Sequence, residues 1–257
     1  MKILFLGTGA AGSKKRYEHE VPENTRRCAS LMIDENVVVD MALQSFDFAT
    51  KLGVDTAAIT DVFISHPHVD HYNKEALLSY VGATKAKLNV WCHERMVQYL
   101  ALSEEEQALV NVCPVGEMDE WDTAGMHVVA LPANHASGQA LHFVFEKDGK
   151  RLFYGLDGAW FTPREWRYLH ESGSFDAMII DSTNTSHDPI NFNNYGEHNN
   201  VLLLPVLLRT LRESGVAGEN TKLIADHIGG KMDNVWAIDF LKELGMIPAY
   251  DGFSIEV

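Results

Sequence analysis

The chain has 257 residues, of which 46% are hydrophobic and 22% charged, a composition that supports a large buried core and argues against disorder. The formal net charge of -15 disfavours a surface that neutralises many phosphates, so we expect no long nucleic acid as a partner. Three cysteines are too few for a disulfide framework, and the apolar run at 3–6 is too short for a secretory leader or a membrane span, so we expect a cytoplasmic protein.

Hydrophobic periodicity predicts strands and helices that alternate along most of the chain. The predicted strands are residues 2–6, 29–33, 37–39, 59–64, 90–92, 126–131, 140–146, 151–156, 176–181, 221–226 and 253–256. The predicted helices are residues 44–52, 74–81, 94–109, 163–171, 199–213 and 232–244, with Ser103 as an internal cap of the third. The pattern indicates an α/β or α+β fold, and the length favours one domain, residues 1–257, with αβ halves of about 1–125 and 126–257.

A glycine-rich turn follows the first predicted strand. Residues 7–12 match the dinucleotide-binding pattern G-x-G-x-x-G, which requires a helix directly afterwards. Residues 13–20 are polar throughout and have no apolar face, so we predict no dinucleotide-binding domain. The glycines still permit a tight turn whose backbone N–H groups approach an anion.

The strongest chemical signal is the sequence SHPHVDH at residues 65–71, which carries three imidazoles and a carboxylate directly after the predicted strand 59–64. Pro67 disfavours a helix or a central strand, so these side chains should lie on a loop at the carboxyl end of the strand. A single histidine there would be an ordinary loop residue satisfied by water. Four nitrogen and oxygen ligands this close together favour a metal ion of the zinc or manganese class.

The spacing H-x-H-x-D-H at residues 66–71 resembles the signature of the metallo-β-lactamase-fold hydrolases. The ligands that this family places further along the chain have counterparts in the same order: His135, Asp157 and His227, each after or at the end of a predicted strand. Asp40 resembles the family's early aspartate, which supports the site rather than binding metal. The resemblance spans nearly the whole chain and implies a single four-layer αββα sandwich.

The resemblance also implies a dinuclear metal centre. Two divalent ions, Zn or Mn with Fe as an open alternative, would share a bridging hydroxide that attacks the substrate. The implied ligands are His66, His68 and His135 for the first ion, Asp70, His71 and His227 for the second, and Asp157 as the bridge.

His198 indicates which branch of these hydrolases the chain resembles. It lies at the start of a predicted helix, shortly after Asp181, where the phosphodiesterase branch carries an extra histidine. This branch includes the tRNA-end-processing endonucleases and the phosphoribosyl cyclic phosphodiesterase. An imidazole there could act as general acid on a departing alkoxide, with Asp70 as the second candidate catalytic residue. A capping or surface role for His198 stays open.

Three departures from known branches bear on the substrate. Asp157 stands near the place where the β-lactam-hydrolysing branch commonly carries a cysteine. The chain lacks the long basic arm of the RNA-processing enzymes, and Cys28 stands alone, without the cysteine-rich zinc site of the cyclic phosphodiesterase. We therefore predict a phosphodiesterase for a small cyclic or nucleotide-like diester.

Further polar residues are candidates for supporting roles. Arg26 and Arg27 precede a predicted strand, where an arginine fork could pair with a substrate phosphate or face solvent as an ordinary turn. Asp181 and Asp226 could orient metal-ligating histidines. The loop 184–194 could be a hydrogen-bonding lid or a solvated insertion.

Other functions could use the same ligands. A lactonase or thioesterase would not need His198, and a non-catalytic metal-binding or regulatory protein would need no substrate at all. An electron-transfer di-iron site is disfavoured, because the oxygen-reducing branch usually places a glutamate where His68 stands. We expect a small-molecule substrate and no membrane partner, and a homodimer stays open.

Overall fold

The structure, a computed structural model, describes residues 1–11, 26–184, 197–200, 202–229 and 234–257. Its strands are β1 Lys2–Gly7, β2 Ser30–Ile33, β3 Val37–Val39, β4 Asp61–Ile64, β5 Leu88–His93, β6 Val110–Val115, β7 Glu120–Thr123, β8 Met126–Pro132, β9 Leu141–Lys147, β10 Lys150–Gly155, β11 Phe175–Asp181, β12 Ala217–Asp226, β13 Ile247–Pro248 and β14 Ser254–Glu256. Its α-helices are α1 Ser45–Lys51, α2 Lys74–Ala83, α3 Glu104–Gln107, α4 Pro163–Glu171, α5 Leu203–Glu213 and α6 Asn234–Glu243. None of the helices in these ranges has the length and apolarity needed to cross a membrane.

The described strands form two seven-stranded sheets that pack face to face. The strand order is β14-β1-β2-β3-β4-β5-β6 in the first sheet and β13-β12-β11-β10-β9-β8-β7 in the second. Aromatic side chains fill the space between them: the ring centroid of Phe63 lies 5.4 Å from that of Phe143 and 5.1 Å from that of Phe145. Burying one such side chain stabilises the fold by about 1.5–3 kcal/mol, so this layer is a main source of stability.

Side chains alternate between the two faces of each strand, so each sheet also has an apolar outer face on which helices pack. Val37 and Val39 belong to the core between the sheets, whereas Val38 packs with Leu77 and Tyr80 of α2. On the second sheet, outward-facing residues of β8 to β12 form another core with side chains of α4, α5 and α6. The predicted four-layer αββα sandwich is therefore confirmed.

The chain crosses from the first sheet to the second between β6 and β7, close to the predicted boundary near residue 125. β14, at the carboxyl end of the chain, returns to the first sheet and pairs with β1. The two halves are thus joined through a shared sheet, and their division stays a prediction.

The single helix predicted over 94–109 is wrong. A 3-10 helix, Glu94–Leu100, is followed by Ala101 with a left-handed φ of 52°, and α3 begins only after Ser103. Ser103 Oγ accepts from Glu106 N over 3.2 Å, while the Glu106 carboxylate accepts from Ser103 N over 2.7 Å. This capping box explains the break, because it favours the start of a new helix at Ser103. The sequence also missed β6 and β7, which lie at sheet edges and are partly exposed.

The glycine turn after β1 serves close backbone packing. A Cβ atom at Gly7 would lie 1.9 Å from the carbonyl oxygen of Cys28, so only glycine fits there. Gly9 forms bridges with Cys28 and Ile228, which ties the turn to the end of β12. The prediction that no nucleotide-binding helix follows concerns residues 12–20, which lie outside the described residues.

Several strands end at one edge of the sandwich, and three residues there have left-handed backbones. Asp40 follows β3, Asp157 lies just beyond β10 and His227 follows β12, with φ values of 58°, 56° and 56°. Such values are uncommon for residues other than glycine, and they cluster at functional sites because the surrounding structure must hold them. This edge of the sandwich is therefore a candidate functional site.

Candidate metal centre

Asp40 anchors the loop that follows β4. Its Oδ1 accepts from Ser65 N over 2.7 Å, and its Oδ2 accepts from Ser65 Oγ over 2.8 Å, from His71 Nδ1 over 2.7 Å and from Tyr154 Oη over 2.6 Å. Burial and the Asp40 charge raise the pKa of Tyr154 well above its ordinary value, so this hydroxyl stays a donor. With Nδ1 bound to Asp40, His71 presents Nε2 to the centre, an arrangement common for metal-ligating histidines.

Four predicted ligands form the first group of donors. One donor atom from each of His66, His68, His135 and Asp157 lies within 4.8 Å of all the others. Asp157 Oδ2 is 3.2 Å from His66 Nε2 and 3.6 Å from His135 Nε2, and His135 Nε2 is 3.2 Å from His68 Nδ1. His68 is the exposed member, so the group is open to solvent on that side.

Two imidazoles of the first group are held in the neutral form. Burial, followed by the charge of His71, lowers the pKa of His66 to about 4, and burial lowers the pKa of His135 to about 3. Both imidazoles are therefore neutral, which is the form that ligates metal.

The second group consists of Asp70, His71 and His227, again within 4.8 Å of one another. His227 Nε2 lies 3.4 Å from Asp70 Oδ2 and 3.1 Å from His71 Nε2. Burial works against a charged His227, but the carboxylates of Asp157, Asp181 and Asp70 together outweigh it and raise the pKa of His227 to about 10. The pocket thus stabilises positive charge, and a divalent ion would replace the proton there.

Asp157 contacts both groups through different oxygens. Oδ2 faces the first group, whereas Oδ1 lies 3.1 Å from His227 Nε2 and 3.2 Å from His71 Nε2. Among the described residues, the buried atoms Asp157 Oδ1 and His66 Nε2 have no hydrogen-bond partner. Unsatisfied buried donors and acceptors are costly, and a divalent ion bound by nitrogen and oxygen would satisfy them. The residues therefore fit the implied metal ions, and the structure brings all seven predicted ligands together.

Asp181 connects the candidate acid His198 to this centre. Asp181 Oδ2 accepts from His198 Nδ1 over 2.8 Å and from Asp157 N over 3.2 Å, and it lies 3.5 Å from His227 Nδ1. The stacked rings of His198 and His227 have centroids 5.4 Å apart. Burial works to lower the pKa of His198, but the Asp181 carboxylate outweighs it and raises that pKa. His198 thus faces the metal centre and is favoured in its protonated form.

Asp226 lies next to His227 but contacts its backbone. Asp226 Oδ1 accepts from His227 N over 2.7 Å, and burial raises the pKa of the Asp226 carboxyl to about 7. The imidazole of His227 is instead approached by Thr183, whose Oγ1 lies 2.7 Å from His227 Nδ1. The sequence pointed to Asp226 through its position and gave no signal for Thr183. An orienting role for Asp226 stays a prediction.

The two arginines are held by other parts of the fold. Arg27 donates to Asp251 Oδ2 from its backbone N over 2.6 Å and from Nη1 over 3.0 Å, and its guanidinium lies 3.9 Å from the ring centroid of Phe48. Arg26 is buried and donates to Thr8 Oγ1 and Ala249 O. A substrate role for Arg27 stays a prediction. Of the loop 184–194, for which a lid and a solvated insertion are both open, residues 185–194 lie outside the described residues.

Comparison with known proteins gives the class of protein. Residues 35–216, more than half of the chain, match the family model described as the beta-lactamase superfamily domain, and the chain belongs to this superfamily. A comparison with curated proteins found no match.

Solved structures share the fold over the full length of the chain. The chain is similar to the metallo-beta-lactamase fold protein YhfI from Bacillus subtilis, with a TM-score of 0.76, 15% identity, and 100% of this chain and 99% of that chain covered. It is similar to a diphosphatase of the PhnP family, with a TM-score of 0.75, 16% identity and coverage of 100% and 97%. It is also similar to the short form of human tRNase Z, with a TM-score of 0.71, 16% identity and coverage of 100% and 99%.

Proposed function

We propose that the protein is a metal-dependent phosphodiesterase that acts on small, cyclic or nucleotide-like phosphodiesters. The observation that carries this proposal is the His198–Asp181 pair beside a centre made only of imidazoles and carboxylates. The fold neighbours named as a diphosphatase and as a tRNase support chemistry at phosphorus.

The donor set supports two divalent ions, Zn or Mn, with Fe also compatible with nitrogen and oxygen ligands. When bound, the ions would activate water as the nucleophile and polarise the phosphoryl oxygen. His66, His68 and His135 would hold one ion, Asp70, His71 and His227 the other, and Asp157 both.

His198 would supply the proton that the departing alkoxide needs. Its Nδ1 is bound to Asp181, so Nε2 is the nitrogen that would exchange a proton with substrate. Asp181 keeps the ring oriented and favours the protonated form, which is the state required of a general acid. Asp70 would take part in catalysis as a ligand of the second ion, with its Oδ2 3.4 Å from His227 Nε2.

The substrate is expected to be small. A net charge of -15 opposes long-range attraction of nucleic acid. The arginines nearest to the glycine turn are already bound to Asp251, Thr8 and Ala249. Recognition of the phosphate would therefore depend mainly on the metal centre.

The test is hydrolysis of bis(p-nitrophenyl) phosphate by protein of measured metal content, with Mn and Zn compared. We expect turnover by the wild type and loss of metal and activity in Asp70→Ala. In His198→Ala we expect retained metal and a loss of activity that is modest on this diester, because p-nitrophenolate leaves with little help, and larger on diesters with poorer leaving groups. His127→Ala is a matched control, because His127 is a half-buried histidine on β8 paired with Asp122. Metal-loaded protein that hydrolyses no diester but turns over a lactone or thioester, with His198→Ala harmless, would replace this proposal by the carbonyl-ester alternative.

A further inference from the structure

A buried histidine and glutamate lie beneath the loop that carries Asp157. His142 on β9 is 2% exposed, and Glu165 in the first turn of α4 is fully buried. His142 Nδ1 donates to Glu165 Oε1, and His142 Nε2 donates to the carbonyl oxygen of Leu156 over 2.9 Å. The Leu156 carbonyl oxygen can only accept, so Nε2 carries a proton, and with Nδ1 bound to the Glu165 side chain the imidazole has one orientation.

Contacts with His142 lie on both sides of Asp157. The preceding residue, Leu156, is held through its carbonyl oxygen. At the following residue, Gly158, a Cβ atom would lie 2.7 Å from His142 Cε1, so the backbone there passes directly against the ring. Asp157 itself has a φ of 56°, a conformation that costs energy for a side chain of this kind and persists only where the surroundings hold it.

Glu165 is itself fixed, so the pair can act as a rigid support. Glu165 Oε2 accepts from Thr162 N over 3.2 Å, and Thr162 Oγ1 accepts from Glu165 N over 3.2 Å, which forms a capping box at the start of α4. Thr162 Oγ1 also donates to Pro132 O over 3.2 Å, at the end of the strand that leads to His135. The support therefore reaches the loops of two candidate ligands.

We propose that His142, held by Glu165, is a positioning residue for Asp157 and thereby sets the metal affinity of the centre. The two oxygens of Asp157 face different donor groups, so a small shift of its backbone changes the distances to both groups at once. Groups that orient metal ligands typically change metal affinity about 10–100-fold when they are removed. The inference rests on the metal centre proposed above and not on phosphodiester hydrolysis.

The test compares His142→Gln with His142→Met. The two side chains have similar length and shape, but only glutamine can donate to the Leu156 carbonyl oxygen. Val144→Ala is the structural control, because Val144 is buried two residues further along β9 in the core beneath the helices and makes none of these hydrogen bonds. The readout is the affinity of metal-depleted protein for Zn²⁺ and Mn²⁺, measured by competition with a chromophoric chelator after circular dichroism has confirmed folding.

We expect His142→Met to lower the metal affinity about 10–100-fold and His142→Gln to retain most of it. Val144→Ala should lower the melting temperature but leave the metal affinity unchanged. Equal affinities of the methionine variant and the wild type would overturn the proposal. The proposal would also be overturned if Val144→Ala lowered the metal affinity as much as His142→Met, because that result would show general destabilisation.

Glu165→Gln provides the second test if His142→Met does not fold. This variant keeps the size of the side chain. In the wild type the two carboxylate oxygens of Glu165 bind His142 Nδ1 and Thr162 N, whereas glutamine has one acceptor oxygen for these two partners. We expect the same direction of change in metal affinity, and wild-type affinity would contradict the proposal. Metal binding that follows these expectations in a protein that hydrolyses no diester would refute the proposed function alone.

Discussion

Asp181 binds the imidazole of His198 and the backbone of Asp157 through the same oxygen atom. Oδ2 lies 2.8 Å from His198 Nδ1 and 3.2 Å from Asp157 N. The candidate proton donor and the candidate ligand shared by both donor groups are therefore fixed by one buried carboxylate. A change at Asp181 should affect proton transfer and metal geometry together, whereas a change at His198 should affect proton transfer alone.

This difference predicts how two variants respond to the leaving group. A poor leaving group needs a proton, and a general acid contributes about 100-fold or more to its departure, whereas p-nitrophenolate leaves with little help. We expect His198→Ala to lose more activity as the pKa of the leaving phenol rises, with metal content unchanged. Asp181→Asn should show the same steeper dependence and bind metal more weakly as well.

The measurement is kcat for a series of aryl phosphodiesters, plotted against the pKa of the leaving phenol, together with metal content. His127→Ala should follow the wild-type line, because its imidazole lies on β8 with Asp122 as its partner. Parallel lines for His198→Ala and the wild type would contradict the assignment of a general acid.

A second prediction compares the two aspartates expected to support ligands. Asp40 accepts from His71 Nδ1, Tyr154 Oη and the Ser65 hydroxyl, so Asp40→Asn replaces an acceptor by an NH₂ group that faces donors. Asp226 accepts a hydrogen bond from the backbone N–H of His227, and the side-chain oxygen of asparagine can accept the same bond. We expect Asp40→Asn to lower metal affinity about 10–100-fold and Asp226→Asn to change it little.

Chelator competition on metal-depleted protein measures both affinities, and urea unfolding shows whether each variant is folded. The interpretation of Asp226 as the residue that orients His227 predicts instead that Asp226→Asn also lowers metal affinity. A loss in Asp226→Asn as large as that in Asp40→Asn would therefore restore it.

The loop 65–71 indicated a metal site through its own ligand chemistry, and the resemblance to the metallo-β-lactamase-fold hydrolases supplied the later candidate ligands, each after or at the end of a predicted strand. The histidines and Asp70 of the loop 65–71 follow one apolar strand, and Asp157 and His227 follow others. Strands of an αββα sandwich end at a common edge, so residues at those ends are brought together by the fold. Hydrophobic periodicity predicted most strands and helices and an α/β or α+β fold, because it reports which face of a strand or helix is buried, whereas the four layers were implied by the family resemblance.

Tyr154 and Thr183, which contact Asp40 and His227, could not be predicted, because these partners are distant in sequence. Tyr154 donates to Asp40 across 114 positions, and Thr183 reaches His227 across 44. No local spacing records such a contact, and a buried tyrosine or histidine on a strand has the same pattern as any core residue. The sequence signal for Asp226, adjacency to His227, was present, but the side chain contacts the backbone instead of the imidazole.

A third prediction concerns the glycine that follows Asp157. A Cβ atom at Gly158 would lie 2.7 Å from His142 Cε1 and 2.9 Å from His142 Nε2, so Gly158→Ala must move the ring or the loop. We expect weaker metal binding and a loss of about 1–3 kcal/mol in the free energy of unfolding, the usual cost of overpacking. Gly82→Ala is the control, because a Cβ atom there meets nothing within 4 Å and alanine favours the helix that contains it.

Calorimetric metal titration and urea unfolding of the two alanine variants give the comparison. Gly82→Ala should keep wild-type affinity and gain a little stability. Unchanged metal binding in a folded Gly158→Ala protein would show that the loop tolerates displacement of His142.

The last prediction uses the ion pair between Asp34 and Lys147, which joins the two sheets. Asp34, in the turn between β2 and β3, accepts from Lys147 Nζ over 2.6 Å and from Lys2 N over 2.9 Å. Partial burial works to raise the pKa of Asp34, but the hydrogen bonds from Lys147 and Lys2 outweigh it, and the pKa lies below its ordinary value of 3.8. The unfolded chain therefore binds a proton at a pH where the folded chain does not.

The sign of the pH effect follows from this difference. Stability from Asp34 is fully present above pH 3.8 and is lost as the pH falls through the lower folded pKa. We expect Asp34→Asn to reduce the free energy of unfolding by up to about 1 kcal/mol at pH 7, since the pair is partly exposed, and by less at acid pH. Asp148→Asn is the matched control: both aspartates have a φ of 51°, which asparagine tolerates, but Asp148 is exposed. Urea unfolding of metal-depleted wild type and variants at several pH values measures these differences, and an Asp34→Asn deficit that stays constant from pH 7 down to the acid range would show that the carboxylate charge does not stabilise the fold.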